Sequence, residues 1–313
     1  MSVLVHQAEL FAPILVTGED AAEYLQSQWT IDLLNSKEKS VAYGLRLNRK
    51  GRVLADAYLF KFTEERLVLA SQSLPSEELI ELMEENVVAD DVEFASLPSP
   101  ATVFTFWSQD LSPLLHFAGF PGELAPNSFL ETSLGLLHAG RMGSTPCLRL
   151  LSTPEESSFL REILSEPEAS DRLCFVEEQV FHRSRLSAGV PLVPVEIGPA
   201  ELPQEGGLEA DAVDFAKGCY LGQEVMARIH AMGRPQRGLR SLFLPEHPPP
   251  APLPMPLYLG DKEVGVLKSY YPSPDSTDGL GMGLLRLKHL DEIGQVGLSF
   301  VPSGAPSLRL NAS

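Results

Sequence analysis

The run Lys217-Gly218-Cys219-Tyr220-Leu221-Gly222-Gln223-Glu224 concentrates the groups in this chain that could do chemistry. Two glycines bracket a cysteine and an aromatic, so the backbone can bend sharply there and approach a ligand without a side-chain clash. This places Cys219 on a turn, just ahead of a helix expected over residues 223–229. A thiol at a helix start and two residues from Lys217 is in the setting that favours the nucleophilic thiolate. The plainer alternative is a small cysteine buried in a turn. A second candidate is Asp56, which shares a strand face with Leu54, Tyr58 and Phe60, an unusual place for an acid unless that face looks into a pocket. A third is the stretch holding Arg228, Arg234, Arg237 and Arg240, the densest basic segment of the chain. It suits an anionic tail or a partner's acidic surface, because arginine holds carboxylates in a fork, although a solvated loop reads equally well.

Other chemistries lack their motifs. There is no G-x-x-x-x-G-K-[ST] phosphate loop, no H-E-x-x-H pair, no G-x-S-x-G elbow and no C-x-x-C, so no local metal site is expected. Gly279, Gly281 and Gly283 read as turn and strand glycines, and His182 and His230 as structural or surface residues. The three cysteines, Cys147, Cys174 and Cys219, are widely spaced and odd in number, which fits free thiols in a reducing cytoplasm.

The composition bounds what these residues serve. Against 24 Lys+Arg stand 42 Asp+Glu, a net charge of −18, so nucleic-acid coating is a poor fit and no direct DNA binding is expected. Hydrophobic residues make up 44% and charged residues 21%, ordinary values for a globular chain, and 313 residues suggest two or three folded units. No secretory signal opens the sequence, and no uncharged apolar run approaches the roughly 20 residues of a membrane span.

Thr17 and Asp20 carry the spacing of a helix cap before residues 21–29, and residues 41–47 and 53–60 alternate as two strands of a hairpin. Ser76 is placed to cap a helix running to about residue 88, and Thr153, Pro154 and Glu156 form a capping box for a helix ending near residue 164. Residues 245–256, PEHPPPAPLPMP, are too proline-rich for helix or central strand and mark a boundary. Beyond them residues 257–259, 263–270, 281–287 and 296–301 are short apolar segments between turns, as in a small antiparallel barrel or sandwich.

The string KGCYLGQE resembles the signature of the YgfZ family of folate-binding proteins, relatives of the glycine cleavage T-protein that assist iron–sulfur cluster proteins. Further segments are similar to that family: VTGEDA from Val16 with Gln26, Gln28, Thr30 and Asp32; Gly44 to Asn48 with Gly51 to Asp56; Arg185 to Pro191; Leu202 to Glu205; Val264 to Val266; and Gly283 to Arg286. The resemblance implies an α+β fold, a T-protein-like arrangement of mixed α/β subdomains with ferredoxin-like elements plus a C-terminal antiparallel β-barrel, enclosing a central folate cavity. Residues 1–240 would form the folate-binding region as two subdomains with a boundary near residue 100, residues 241–256 a linker and residues 257–313 the barrel.

The cofactor so implied is tetrahydrofolate or a one-carbon derivative. A carboxylate can accept two hydrogen bonds from the pterin's amino and ring N–H groups. Glu205 is the preferred candidate for that edge and Glu196 the second, with Lys217, Tyr220 and Arg228 as further cofactor contacts. Cys219 and Asp56 are the candidate catalytic groups. The implied role is a cytoplasmic accessory protein for assembly or repair of iron–sulfur clusters in client enzymes, tRNA-thiolating enzymes among them. Two departures matter. Where T-proteins carry an Asp-Asp pair this chain has Ala55-Asp56, which argues against aminomethyl transfer, and Gly206-Gly207 stands where the family often has an Asn. A folate-dependent one-carbon transferase using Asp56, and an interaction scaffold with a decayed pocket, are the alternatives.

Overall fold

The computed structural model describes residues 2–11, 13–97, 101–122, 124–233 and 235–311. The chain forms two compact units, the first made of residues 1–50, 54–177 and 211–223, the second of residues 51–53, 178–210 and 224–313.

In chain order the first unit contains β1 (Val3–Leu10), β2 (Ile14–Thr17), α1 (Ala21–Gln28), β3 (Ser40–Leu47), β4 (Val53–Thr63), β5 (Arg66–Ala70), α2 (Ser76–Glu84), β6 (Glu93–Ser96), β7 (Ala101–Trp107), α3 (Ser112–Phe117), β8 (Phe129–Thr132), β9 (Gly135–Ala139), β10 (Cys147–Ser152), α4 (Pro154–Ser165), α5 (Pro167–Ser170) and β11 (Leu173–Phe175). They build two sheets, of order β3-β4-β5-β2-β6 and β11-β1-β7-β10-β9-β8. β7, buried at every position including Thr102 and Thr105, is central in the second sheet, whereas β1 and β11 form its parallel edge pair. Each sheet has its own core. Ile14, Val16, Leu25, Trp29, Leu59, Leu69 and Met83 pack in one; Val3, Phe104, Phe106, Leu137, Leu150 and Leu160 in the other.

Local signals acted where their partners were local. Thr153 and Glu156 form the reciprocal cap of α4, Glu156 Oε2 accepting from Thr153 N at 2.7 Å. The expected Thr17–Asp20 cap does not form. Thr17 ends β2, and the Asp20 carboxylate accepts instead from Asp91 N at 2.8 Å. Ser76 is the first residue of α2 rather than its cap, and that helix stops at Glu84, short of residue 88.

The second unit follows with α6 (Glu178–Ser187), a 3-10 turn (Pro203–Gly206), β12 (Arg237–Leu244), β13 (Met255–Leu259), β14 (Lys262–Pro272), β15 (Gly279–Arg286), α9 (Leu290–Val296) and β16 (Arg309–Leu310); α7 (Glu209–Ala212) and α8 (Gln223–Met232) lie where the chain passes between units. One curled antiparallel sheet of order β13-β14-β15-β12-β16 carries it, over a core of Leu242, Leu244, Leu257, Val264, Leu267 and Leu285. A Cβ on Gly281 or Gly283 would fall 2.7 Å from Leu267 Cδ1 or 2.6 Å from Leu242 Cδ1, so these glycines let the strands pack and form no nucleotide loop. The sheet starts at Arg237, ahead of the proline-rich segment. Residues 241–244 are therefore strand, not linker, and Pro256 sits on edge strand β13, where a missing N–H is tolerated. Residues 296–301 are not a strand either: Val296 ends α9, Gly297 turns at φ +88°, and only single bridges from Leu298 and Ser299 follow.

Candidate functional site

Cys219 stands in a segment of the first unit that is fastened on both sides. Upstream, Asp214 N donates to Thr30 O at 2.8 Å, and Asp214 Oδ1 accepts from the amides of Ala216 and Lys217 at 2.7 and 3.2 Å. The Lys217 ammonium donates to the carbonyl oxygens of Gln26, Trp29 and Ile31 at 2.7, 2.7 and 2.5 Å. Downstream, the Tyr220 ring is buried 5.2 Å from Lys217 Nζ, Leu221 N donates to Ser27 O at 3.0 Å, and Gly222 turns the chain at φ +86° into α8. Between these anchors Cys219 is an exposed free thiol. Burial pulls the Lys217 ammonium down to about 8 against the opposing charges of Asp32 and Asp214, and pushes the Tyr220 phenol up to about 12. Lys217, expected to touch a cofactor, has all three protons committed to backbone. Tyr220 buries its hydroxyl with no partner among the described residues.

Asp56 lies in the same unit, half-buried on β4. Tyr43 Oη, from β3, donates to Asp56 Oδ2 at 2.7 Å, and Ser73 Oγ accepts from the Asp56 amide at 3.0 Å. Burial pushes the Asp56 carboxyl up; the hydrogen bonds of Tyr43 and Ser73 and the charges of Arg141 and Arg149 oppose it. Around it the Arg141 guanidinium lies 4.2 Å over the Tyr43 ring and that of Arg149 4.8 Å over Tyr58. His138 packs its ring 4.5 Å from Tyr58 and 5.1 Å from Phe60. Burial, helped by the Arg149 charge, pushes His138 down to about 3, so it is neutral, with Nδ1–H donating to Ala139 O at 2.8 Å. Buried Cys147 is pushed up to about 12 and is a poor nucleophile. The sequence marked Asp56, Tyr58 and Phe60 by their shared strand face. Tyr43 appeared there only as one residue of an alternating strand, and nothing marked Arg141, Arg149 or His138, which come from β9, β10 and their connection.

In the second unit Glu205 closes the 3-10 turn that begins at Pro203. Its Oε2 accepts from Leu202 N at 2.9 Å, Arg237 Nε donates to its Oε1 at 2.7 Å, and Arg52 approaches Oε2 at 3.6 Å. It lines a cleft of about 950 Å3 that also presents Arg52, Arg228, Arg237, Arg286 and Lys288. One carboxylate among five cations, in a chain of net charge −18, makes this an anion-attracting cavity. Arg237 and Arg228 of the basic stretch line it. Arg240 is exposed with its guanidinium on Leu239 O, and Arg234 lies outside the described residues.

Glu196 has a different setting. It is fully buried, Arg185 grips it with two bonds of 2.8 and 2.9 Å, and Ser269 Oγ and Leu192 N donate to it at 2.5 Å each. His182 Nδ1 accepts from Arg185 Nε at 2.7 Å and its ring stacks on Tyr271, so the pair is held from both ends. A pterin would have to displace Arg185 or Ser269 to reach it. Among the described residues no cluster of three His, Cys, Asp or Glu could hold a metal ion, and no helix is long and apolar enough to cross a membrane.

Residues 1–107 match the GCVT N-terminal domain family. The tRNA-modifying protein YgfZ of Hamiltonella defensa is 29% identical over 231 residues, covering 72% of this chain and 66% of that protein. The YgfZ protein of Sodalis glossinidius is 25% identical, covering 81% of this chain and 75% of its own length. A mitochondrial iron–sulfur cluster assembly factor IBA57 homolog of Pyricularia oryzae is 26% identical over 91% of this chain and 68% of its own. The crystal structure of the glycine cleavage system aminomethyltransferase T from Bartonella henselae superposes with a TM-score of 0.75, covering 92% of this chain and 80% of that one at 19% identity, a likeness of fold. Residues 1–107 are thus similar to the GCVT N-terminal domain family, the chain has the fold of the T-protein, and over most of its length it is similar to the YgfZ proteins.

Proposed function

We propose that this protein binds a reduced folate and serves as an accessory factor for iron–sulfur cluster assembly or repair, in tRNA-modifying enzymes among others, with Cys219 as its working thiol. The observation that carries the folate reading is the composition of the cleft in the second unit: Glu205 as its one carboxylate, with Arg52, Arg228, Arg237, Arg286 and Lys288 around it. A pterin edge presents N–H donors that a carboxylate accepts in pairs, while a glutamate tail presents carboxylates that arginine and lysine hold. The volume of about 950 Å3 is within the range of cofactor sites. Glu205 would take the pterin edge, and Arg228, Arg286 and Lys288 the tail. Bound there, the folate supplies a carrier for one-carbon units. Cys219, exposed and fastened, offers a thiol that can attack a partner's disulfide, forming one S–S bond as the other breaks and the second partner sulfur leaves as a thiol. The names of the YgfZ and IBA57 relatives support the cluster and tRNA-modification role.

Calorimetric titration with tetrahydrofolate tests the binding, and no heat of binding to the wild-type chain removes it. Cys219→Ala is expected to keep folate binding and to lose the rescue of cluster-enzyme activity in a deletion strain. A second reading, one-carbon transfer through Asp56, draws on the Tyr43–Asp56 hydrogen bond and the raised carboxyl. Formation of methylene-tetrahydrofolate and ammonia from an aminomethylated carrier would establish it; the accessory reading expects none.

A further inference from the structure

We propose that Lys217 is a positioning residue for Cys219, its ammonium bolting the cysteine loop to the backbone carbonyls at the end of α1 and touching no cofactor. The inference rests on the reading of Cys219 as the working thiol. Gln26 belongs to the last turn of α1, whose carbonyls have no partners within the helix, and Trp29 and Ile31 follow directly. An ammonium has three protons and no acceptor capacity, and the three carbonyls take all of them. Lys217 is only 6% exposed, so no proton is left to face a ligand from solvent.

The geometry matches what the thiol needs. Directly after Lys217 the chain is exposed at Gly218 and Cys219, and at Tyr220 it is buried again. With Asp214 holding the upstream amides and Leu221 N on Ser27 O downstream, the exposed pair spans two fixed points. A sulfur so presented meets a partner in one place and orientation, and less ordering entropy is lost on encounter. Burying the ammonium costs desolvation, visible in its lowering to about 8. That cost is offset only while the carbonyls are engaged, so losing the charge loosens the loop more than losing the same volume would.

The test compares the wild type with Lys217→Met, which keeps the apolar stem, and Lys217→Ala, whose missing atoms n-propylammonium supplies. Hydrogen exchange at the amides of residues 214–221 and alkylation of Cys219 by iodoacetamide are followed by mass spectrometry. Exposed Cys174 serves as rate control and buried Cys147 as reporter of folding. Both variants should exchange these amides about tenfold faster, with Cys147 still protected and tetrahydrofolate affinity within twofold of wild type. Added n-propylammonium, but not propanol, should restore protection and cluster-enzyme rescue to Lys217→Ala. Rescue by propanol would reduce Lys217 to packing and overturn the proposal, as would unchanged exchange in Lys217→Met or a tenfold loss of folate affinity. If both variants unfold, the wild type decides alone: the Lys217 and Leu221 amides must exchange at least tenfold slower than those of Gly218 and Cys219. Wild-type activity in Cys219→Ala would instead remove the functional-thiol reading and leave the bolt measurable.

Discussion

Tyr43 Oη donates to Asp56 Oδ2 across 2.7 Å, joining β3 to β4 through side chains at a position where the strand pattern calls for an apolar residue. A carboxyl raised by burial gives the folded state more affinity for protons than the unfolded chain has, so the carboxylate costs stability above its unfolded value of 3.8, and the cost grows as pH rises through the folded value. Asp56→Asn keeps an oxygen for the tyrosine and removes the charge. It should stabilise the fold at pH 7, and the gain should vanish towards pH 3.8. Urea midpoints at pH 7 and pH 4 measure this; a less stable variant at pH 7 would contradict the stated cause.

His138 carries the opposite sign. Its folded value of about 3 lies below the ordinary 6.5, so the unfolded chain binds the extra proton between these values. The stability that depends on a neutral ring is complete above pH 6.5 and is lost as pH falls towards 3, at up to about 1.4 kcal/mol per pH unit. His138→Gln should be less stable at pH 7 and flatter in acid. Denaturation at pH 7, 5.5 and 4.5 compares the slopes, and equal slopes would show that another group drives the acid response.

What the sequence disclosed depended on how near the partners were. The turn at Cys219 was legible because its glycines are neighbours, and the α4 cap because Thr153 and Glu156 lie three residues apart. Asp56 betrayed itself by period two. Arg141, Arg149 and His138 could not be placed beside it, because pairing of the β9–β10 hairpin decides which side chains meet β4. The three acceptors of Lys217 are backbone carbonyls, which carry no residue identity to read. Glu196 looked like a free acid because its partners Arg185 and Ser269 are 11 and 73 residues away.

Glu196 and Arg185 bury their charges in each other, and removing one partner leaves an uncompensated ion in the second unit. Glu196→Ala should cost about 3–5 kcal/mol in urea unfolding, and Arg185→Met with Glu196→Met much less than the single changes added together. Additive losses in that double-mutant cycle would mean that the pair is not the interaction being measured.

The cleft of the second unit gives a prediction that separates its two proposed halves. Glu205→Gln leaves an oxygen for Arg237 Nε but replaces one pterin acceptor by an amide that donates. It should weaken binding of mono- and pentaglutamyl tetrahydrofolate alike, by about tenfold or 1.4 kcal/mol. Arg286 is exposed and has no ion pair among the described residues, so Arg286→Glu changes the field at the cleft without breaking a structural bridge. It should leave the monoglutamate within about threefold and weaken the pentaglutamate tenfold or more, because each added carboxylate meets a reversed charge. Raising salt from low ionic strength to 0.15 M, where the screening length falls to about 8 Å, should narrow the second difference and leave the first unchanged. Titrations of both ligands at the two salt concentrations decide it: if Arg286→Glu weakens both ligands equally at every salt concentration, the cations do not hold the tail.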